Sequence, residues 1–125
     1  MKRVLATVVV ASCALLLTGC TSGYPEIAGV WKASDGTPNK TISDDGNCTN
    51  LLYRGTTFTP IAAPGMCHLV GKATTAGGKQ AYTLQVTQGG YSAKYTAVFS
   101  NGGKTIALSR DAKPLVTLTE TSSVD

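Results

Sequence analysis

Cys48, Cys67 and His68 are the residues of this chain whose types and spacing come closest to a chemical site. Two thiolates and an imidazole can hold a zinc-like ion, and the same thiols can instead join as a disulfide. The 125-residue chain has a single histidine, and on a strand neighbours such as Cys67 and His68 point to opposite faces. The disulfide is therefore the expectation. It would close a loop of about 20 residues and stabilise by roughly 3 kcal/mol through loop-closure entropy. Asp44 and Asp45 are adjacent carboxylates, but they stand in Asp44-Asp45-Gly46-Asn47, whose side chains favour a turn. Nucleophilic catalysis needs a base beside the nucleophile and a third group to orient that base. The sequence offers no such set, so it points away from an enzyme and from a metal or other cofactor.

Cys13 and Cys20 belong to a different context. Lys2 and Arg3 precede an apolar run from Val4 to Leu17, and Leu17-Thr18-Gly19-Cys20 follows. That order reads as an export signal. The run of about 14 residues is shorter than the roughly 20 that span a bilayer. Leu17 to Cys20 resembles the bacterial lipobox. The resemblance implies that residues 1–19 are a lipoprotein signal peptide with a signal helix, and that Cys20 becomes the diacylated first residue. Each buried methylene contributes roughly 0.8 kcal/mol, so two or three acyl chains hold far better than one. The implied place is the cell envelope, lipid-anchored to a membrane at Cys20. Thr21, where an aspartate would favour inner-membrane retention, implies the outer membrane in a diderm host. In a monoderm the same protein would sit on the outer face of the plasma membrane. An exported chain also suits oxidation of the remaining pair, Cys48 and Cys67.

Behind the signal, about 100 residues remain, enough for one domain with a modest core. The chain has 11 basic and 7 acidic residues, but Lys2 and Arg3 leave with the signal, so the mature excess falls from four to two. Its lysines are scattered singly (Lys32, Lys40, Lys72, Lys79, Lys94, Lys104, Lys113). Nucleic-acid binding needs clustered charge, so no nucleic-acid partner is expected. Residues 20–26 read as a short lipidated tether reaching at most about 25 Å, and residues 121–125 as a frayed tail.

Residues 27–120 read as one β domain. Ile27 to Ala33 is a strand. In Ala81 to Thr87, Tyr82, Leu84 and Val86 share one face, and beyond Gln88-Gly89-Gly90 the residues Tyr91, Ala93, Tyr95, Ala97 and Phe99 share another. Asn101-Gly102 is a hairpin signal. Ile106 and Leu108 point inward on the next strand, Asp111 to Pro114 turns, and Leu115 to Glu120 closes. Closely spaced short strands with Gly-rich turns predict an all-β fold, a small antiparallel meander barrel or sandwich of about seven to eight strands. Arg54 to Gly65 breaks the rhythm with two prolines, which do not suit a central strand. Within it, Phe58 and Ile61 have two readings, a hydrophobic lid over the barrel end or a loop that binds a partner.

Gly29-Val30-Trp31 resembles the Gly-x-Trp signature of the lipocalins and their bacterial relatives, which include periplasmic protease inhibitors and small lipoproteins. The hairpin Phe99, Gly102 to Ile106 and Leu108, with the final Val116 to Thr119 strand, is similar to theirs. The resemblance implies that Trp31 plugs one barrel end and that a basic residue of the last strands, here Arg110, packs on it. It departs in two ways. About 100 residues make an interior that side chains nearly fill, which disfavours a carrier of large ligands. The inhibitors' free N-terminal segment is here fixed to lipid at Cys20. The expected function is a non-catalytic protein-binding or inhibitory module with an envelope protein partner, and superinfection exclusion by phage-encoded lipoproteins is one such role. The alternative is a lipocalin-like binder of a small ligand, in a cavity lined by Tyr82, Tyr91, Tyr95 and Phe99.

Overall fold

The computed structural model describes residues 23–122. The expected signal peptide, the expected signal helix and Cys20 lie outside the described residues, as does the end of the tail. Alternating inward and outward side chains, punctuated by turn residues, build ten strands: β1 (Gly29–Ala33), β2 (Lys40–Ile42), β3 (Asn47–Thr49), β4 (Tyr53–Arg54), β5 (Thr57–Phe58), β6 (Gly65–Ala76), β7 (Lys79–Gln88), β8 (Tyr91–Ser100), β9 (Thr105–Arg110) and β10 (Lys113–Thr121). Eight of them close into an antiparallel barrel in the order β1-β10-β9-β8-β7-β6-β3-β2, while β4 and β5 form a separate hairpin. The all-β barrel expected from the sequence is the fold.

The inward faces follow the period-2 pattern. Tyr82, Leu84 and Val86 of β7, Ala93, Tyr95, Ala97 and Phe99 of β8, Ile106 and Leu108 of β9, and Val116 and Leu118 of β10 are all buried. Tyr91 departs from its expected company and is 45 % exposed, because it is the first residue of β8, opposite Gln88 at the rim. The turns match their chemistry: Asn101 and Gly102 take positive φ after β8, as do Asp111 and Ala112 after β9. The C-terminal strand runs one residue further than expected, with Thr121 paired to Val30.

The barrel has two ends. The near end carries residues 24–28, the β2–β3, β6–β7 and β8–β9 turns. The far end carries the β1–β2, β7–β8 and β9–β10 connections and the β4–β5 hairpin. The seam between β3 and β6 has two register pairs, Asn47↔Met66 and Cys48↔Gly65, and shares with β2–β3 the place of shortest ladder in the closure. A disulfide joins Cys48 to Cys67 at that seam, with a Cα–Cα distance of 5.9 Å. Gly65 is needed there, since a Cβ would lie 2.6 Å from Thr87 O.

Candidate functional site

At the far end, residues 51–63 fold over the mouth and are fastened by side chains from three directions. The Tyr95 hydroxyl accepts from the Tyr53 backbone N–H at 2.7 Å and donates to the Tyr53 carbonyl at 2.9 Å. The Tyr53 hydroxyl donates to Asp35 Oδ2 at 2.7 Å. The Gln88 side-chain amide, from the last residue of β7, donates to the carbonyls of Ile61 and Ala63 at 3.0 and 2.8 Å. Burial pushes both tyrosine hydroxyls above their ordinary range, which keeps them protonated donors.

Lys40 completes this end and is the least expected side chain in the core. It is 0 % exposed. Its ammonium donates to Thr37 Oγ1 at 2.7 Å, which in turn donates to Asp35 Oδ1 at 2.6 Å. It also stands 4.2 Å from the Phe58 ring centroid and 5.5 Å from that of Tyr53. Desolvation lowers the Lys40 pKa to about 8, and the charge of Asp35 works against that fall. Asp35 is itself disfavoured as an anion by burial, yet hydrogen bonds from Thr37 and Tyr53 outweigh this and keep its carboxyl below the usual range. In the sequence Lys40 is one more isolated lysine, and nothing local marks it. Its burial comes from β5 folding over it.

This geometry supports the lid reading of Phe58 and Ile61. Both are partly buried and packed against the core, with Phe58 edge-on to Tyr53 at 5.7 Å between centroids and Ile61 against Gly89. They form the lid. Arg110 is also at this end, where its guanidinium donates to the Tyr53 carbonyl at 3.4 Å. It does not pack on Trp31 as the lipocalin resemblance implied. Trp31 faces Glu120 across β1–β10, whereas Arg110 faces Lys113 at the other end of β10, seven residues or roughly 20 Å away. Trp31 is buried toward the near end and its indole N–H donates to Ile27 O at 2.9 Å. Gly29 is required by its φ of +144° rather than by crowding, because a Cβ there would stay 3.9 Å from the indole.

A second concavity lies at the near end. It is an open cleft of about 430 Å³ between β6 and the segment 24–28, floored by the β2–β3 turn. Tyr24 is docked on the barrel, with its hydroxyl donating to Gly71 O at 2.8 Å and its ring edge-on to Tyr82 at 5.8 Å. Glu26, Asp44 and Asp45 line the cleft with His68. Asp45 is engaged by Ser43 and by both the backbone N–H and side-chain amide of Asn47, and these bonds hold its carboxyl below the ordinary range. The turn reading of Asp44 to Asn47 is correct in detail. His68 lies over Gly46, where a Cβ would meet the imidazole at 2.4 Å, and points outward while the sulfur of Cys67 is buried in the disulfide. The strand parity that argued against a thiolate–imidazole site is what the structure has. Among the described residues no three histidine, cysteine or acidic side chains are placed to share a metal ion. Compared with protein-family models, curated proteins and solved structures, the chain matches none.

Proposed function

We propose that this chain is a membrane-anchored envelope lipoprotein that acts as a non-catalytic protein-binding or inhibitory module. The observation that carries the reading is the filled interior. Trp31, Tyr53, Tyr95, Lys40, Leu51, Leu52, Leu108 and Leu118 are all within 2 % of full burial, and the far mouth is covered by a hydrogen-bonded lid. An interior packed in this way speaks against a lipocalin-type ligand, for which a cavity of at least about 300 Å³ is expected. Recognition is left to the outer surface. The anchor rests on the lipobox resemblance at Cys20, and the outer membrane of a diderm host is the expected site.

Metabolic labelling of the full chain with an alkynyl palmitate tests the anchor. A labelled band that disappears in Cys20→Ser, together with loss of that variant from the membrane pellet, supports the reading. An unlabelled wild type, or a Cys20→Ser chain that still sediments with membranes, overturns it. Native mass spectrometry showing a stoichiometric small molecule on the purified protein would overturn the binding-module part instead.

A further inference from the structure

One edge of β6 is almost bare. Its β7 side is paired from Gly65↔Gln88 to Ala76↔Lys79, interrupted by a bulge between Val70 and Thr74. Its other side meets β3 at Gly65 and Met66 alone. Beyond that, Cys67 N–H donates to Gly46 O at 2.8 Å and Gly71 O accepts the Tyr24 hydroxyl. In an antiparallel strand a residue's N–H and C=O point to one side and alternate residues point to opposite sides. Cys67 and Leu69 therefore turn their backbones away from β7 and into the near-end cleft, and Gly71, inside the bulge, turns its carbonyl to Tyr24. The N–H and C=O of Leu69 face it without a backbone partner among the described residues.

The slot has natural limits. From Cys67 to Gly71 it runs roughly 13 Å, and since Gly46 takes the Cys67 N–H and Tyr24 the Gly71 carbonyl, the groups open to an added strand are those of Leu69. Past Gly71, the bulge and Lys72 disrupt pairing, which is how sheet edges are ordinarily blunted. At Leu69 itself there is no such guard. The walls supply the charge: Glu26, Asp44 and Asp45 line the cleft, and no lysine or arginine does, on a chain whose overall charge is positive.

We propose that this cleft receives an extended, lysine- or arginine-bearing segment of a partner protein, added as a strand to the β6 edge at Leu69. This deepens the binding-module reading and rests on it. A second copy of the chain is the poorer occupant, because pairing two such edges would bring two acidic clefts together.

The test uses the full lipidated chain in detergent micelles. The probes are an acetylated Lys-Val-Lys-Val-Lys-Thr peptide, the same peptide N-methylated at alternate residues, and a Glu-Val-Glu-Val-Glu-Thr peptide. Amide hydrogen exchange is followed at Leu69. The lysine peptide is expected to slow exchange there, with the other two leaving it unchanged. Asp44→Lys, whose position is an exposed turn, is expected to weaken lysine-peptide binding about fivefold, as one surface charge pair reversed to repulsion allows. Absence of protection at millimolar lysine peptide, or equal protection by the glutamate peptide, overturns the proposal. Protection that rises with protein concentration without peptide assigns the edge to a second copy and overturns it too. Photo-crosslinkers at His68 and at Tyr91 in intact envelopes separate this from the broader reading. Adducts from Tyr91 alone leave a binding module and remove the cleft, whereas adducts from neither position remove both.

Discussion

Lys40 shows how a single side chain can set the pH behaviour of a small domain. Its ammonium is shut between the Phe58 and Tyr53 rings with Thr37 as its hydrogen-bond partner, and burial brings its pKa from 10.5 to about 8. In the unfolded chain the same amine keeps its proton to about 10.4. Between these values the unfolded state binds more protons than the folded one, so stability rises with pH across that window. Below about 8 the charge is carried by both states and the gain is absent. Asp35 is already ionised there, and the Tyr53 and Tyr95 hydroxyls are held protonated by burial, so the facing groups do not cancel the effect. Urea unfolding at pH 7 and pH 9.5 is expected to differ by on the order of 2 kcal/mol in favour of pH 9.5. Lys40→Met is expected to abolish that difference. A wild-type protein whose stability is flat or falls over this interval would show that the amine is hydrated.

At the scale of elements, the β4–β5 hairpin illustrates what sequence patterning reaches and what it misses. Tyr95→Phe removes the hydroxyl that satisfies both the N–H and the C=O of Tyr53. Leaving buried backbone groups without partners costs roughly 1–3 kcal/mol, and the lid is the part least able to bear the loss. It consists of two strands of two residues each, which cannot hold themselves together. The variant is expected to lose about 2 kcal/mol and to exchange amides at residues 53–58 faster than the barrel strands; uniform exchange throughout would mean that the lid is not a separate unit. β7 and β8 were legible in the sequence because ten-residue strands repeat their alternation often enough to be recognised. Two-residue strands carry no period, so the hairpin appeared only as an interruption with prolines. Phe58 and Ile61 had two readings for the same reason: apolar residues in a loop do not say whether the loop folds inward. Tyr91 obeyed the alternation and still ended outside, because a pattern does not show where the barrel rim falls. The near-end cleft was hidden more deeply, since residues 24–28, 42–46 and 67–69 meet there only after the barrel closes.

For the whole molecule, closure depends on the seam between β3 and β6. The other ladders of the ring that flank β6 and β7 run for many residues, whereas this one has two pairs. Those two pairs adjoin the Cys48–Cys67 bond, which spans 19 residues of sequence. Within that interval lie the lid residues Leu51 to Ile61, so the same bond that closes the ring also shortens the excursion over the far mouth. Pairing of these cysteines could be inferred from counting and the expected export, but its position beside one of the two shortest ladders could not. Loop-closure entropy gives roughly 3 kcal/mol for such a bond, and for about 100 residues each kcal/mol shifts Tm by roughly 4–8 °C. Cys48→Ser with Cys67→Ser is therefore expected to lower Tm by some 10–20 °C. The same loss should follow dithiothreitol treatment of the wild type and be absent when reductant is added to the double variant. The change should not be uniform: β3 and the lid are expected to lose amide protection before β7, β8 and β9, because the latter three remain paired on both edges when the seam parts. Simultaneous loss from all strands would mean instead that the ring opens only by unfolding as one unit, and that this short ladder is not its weakest point.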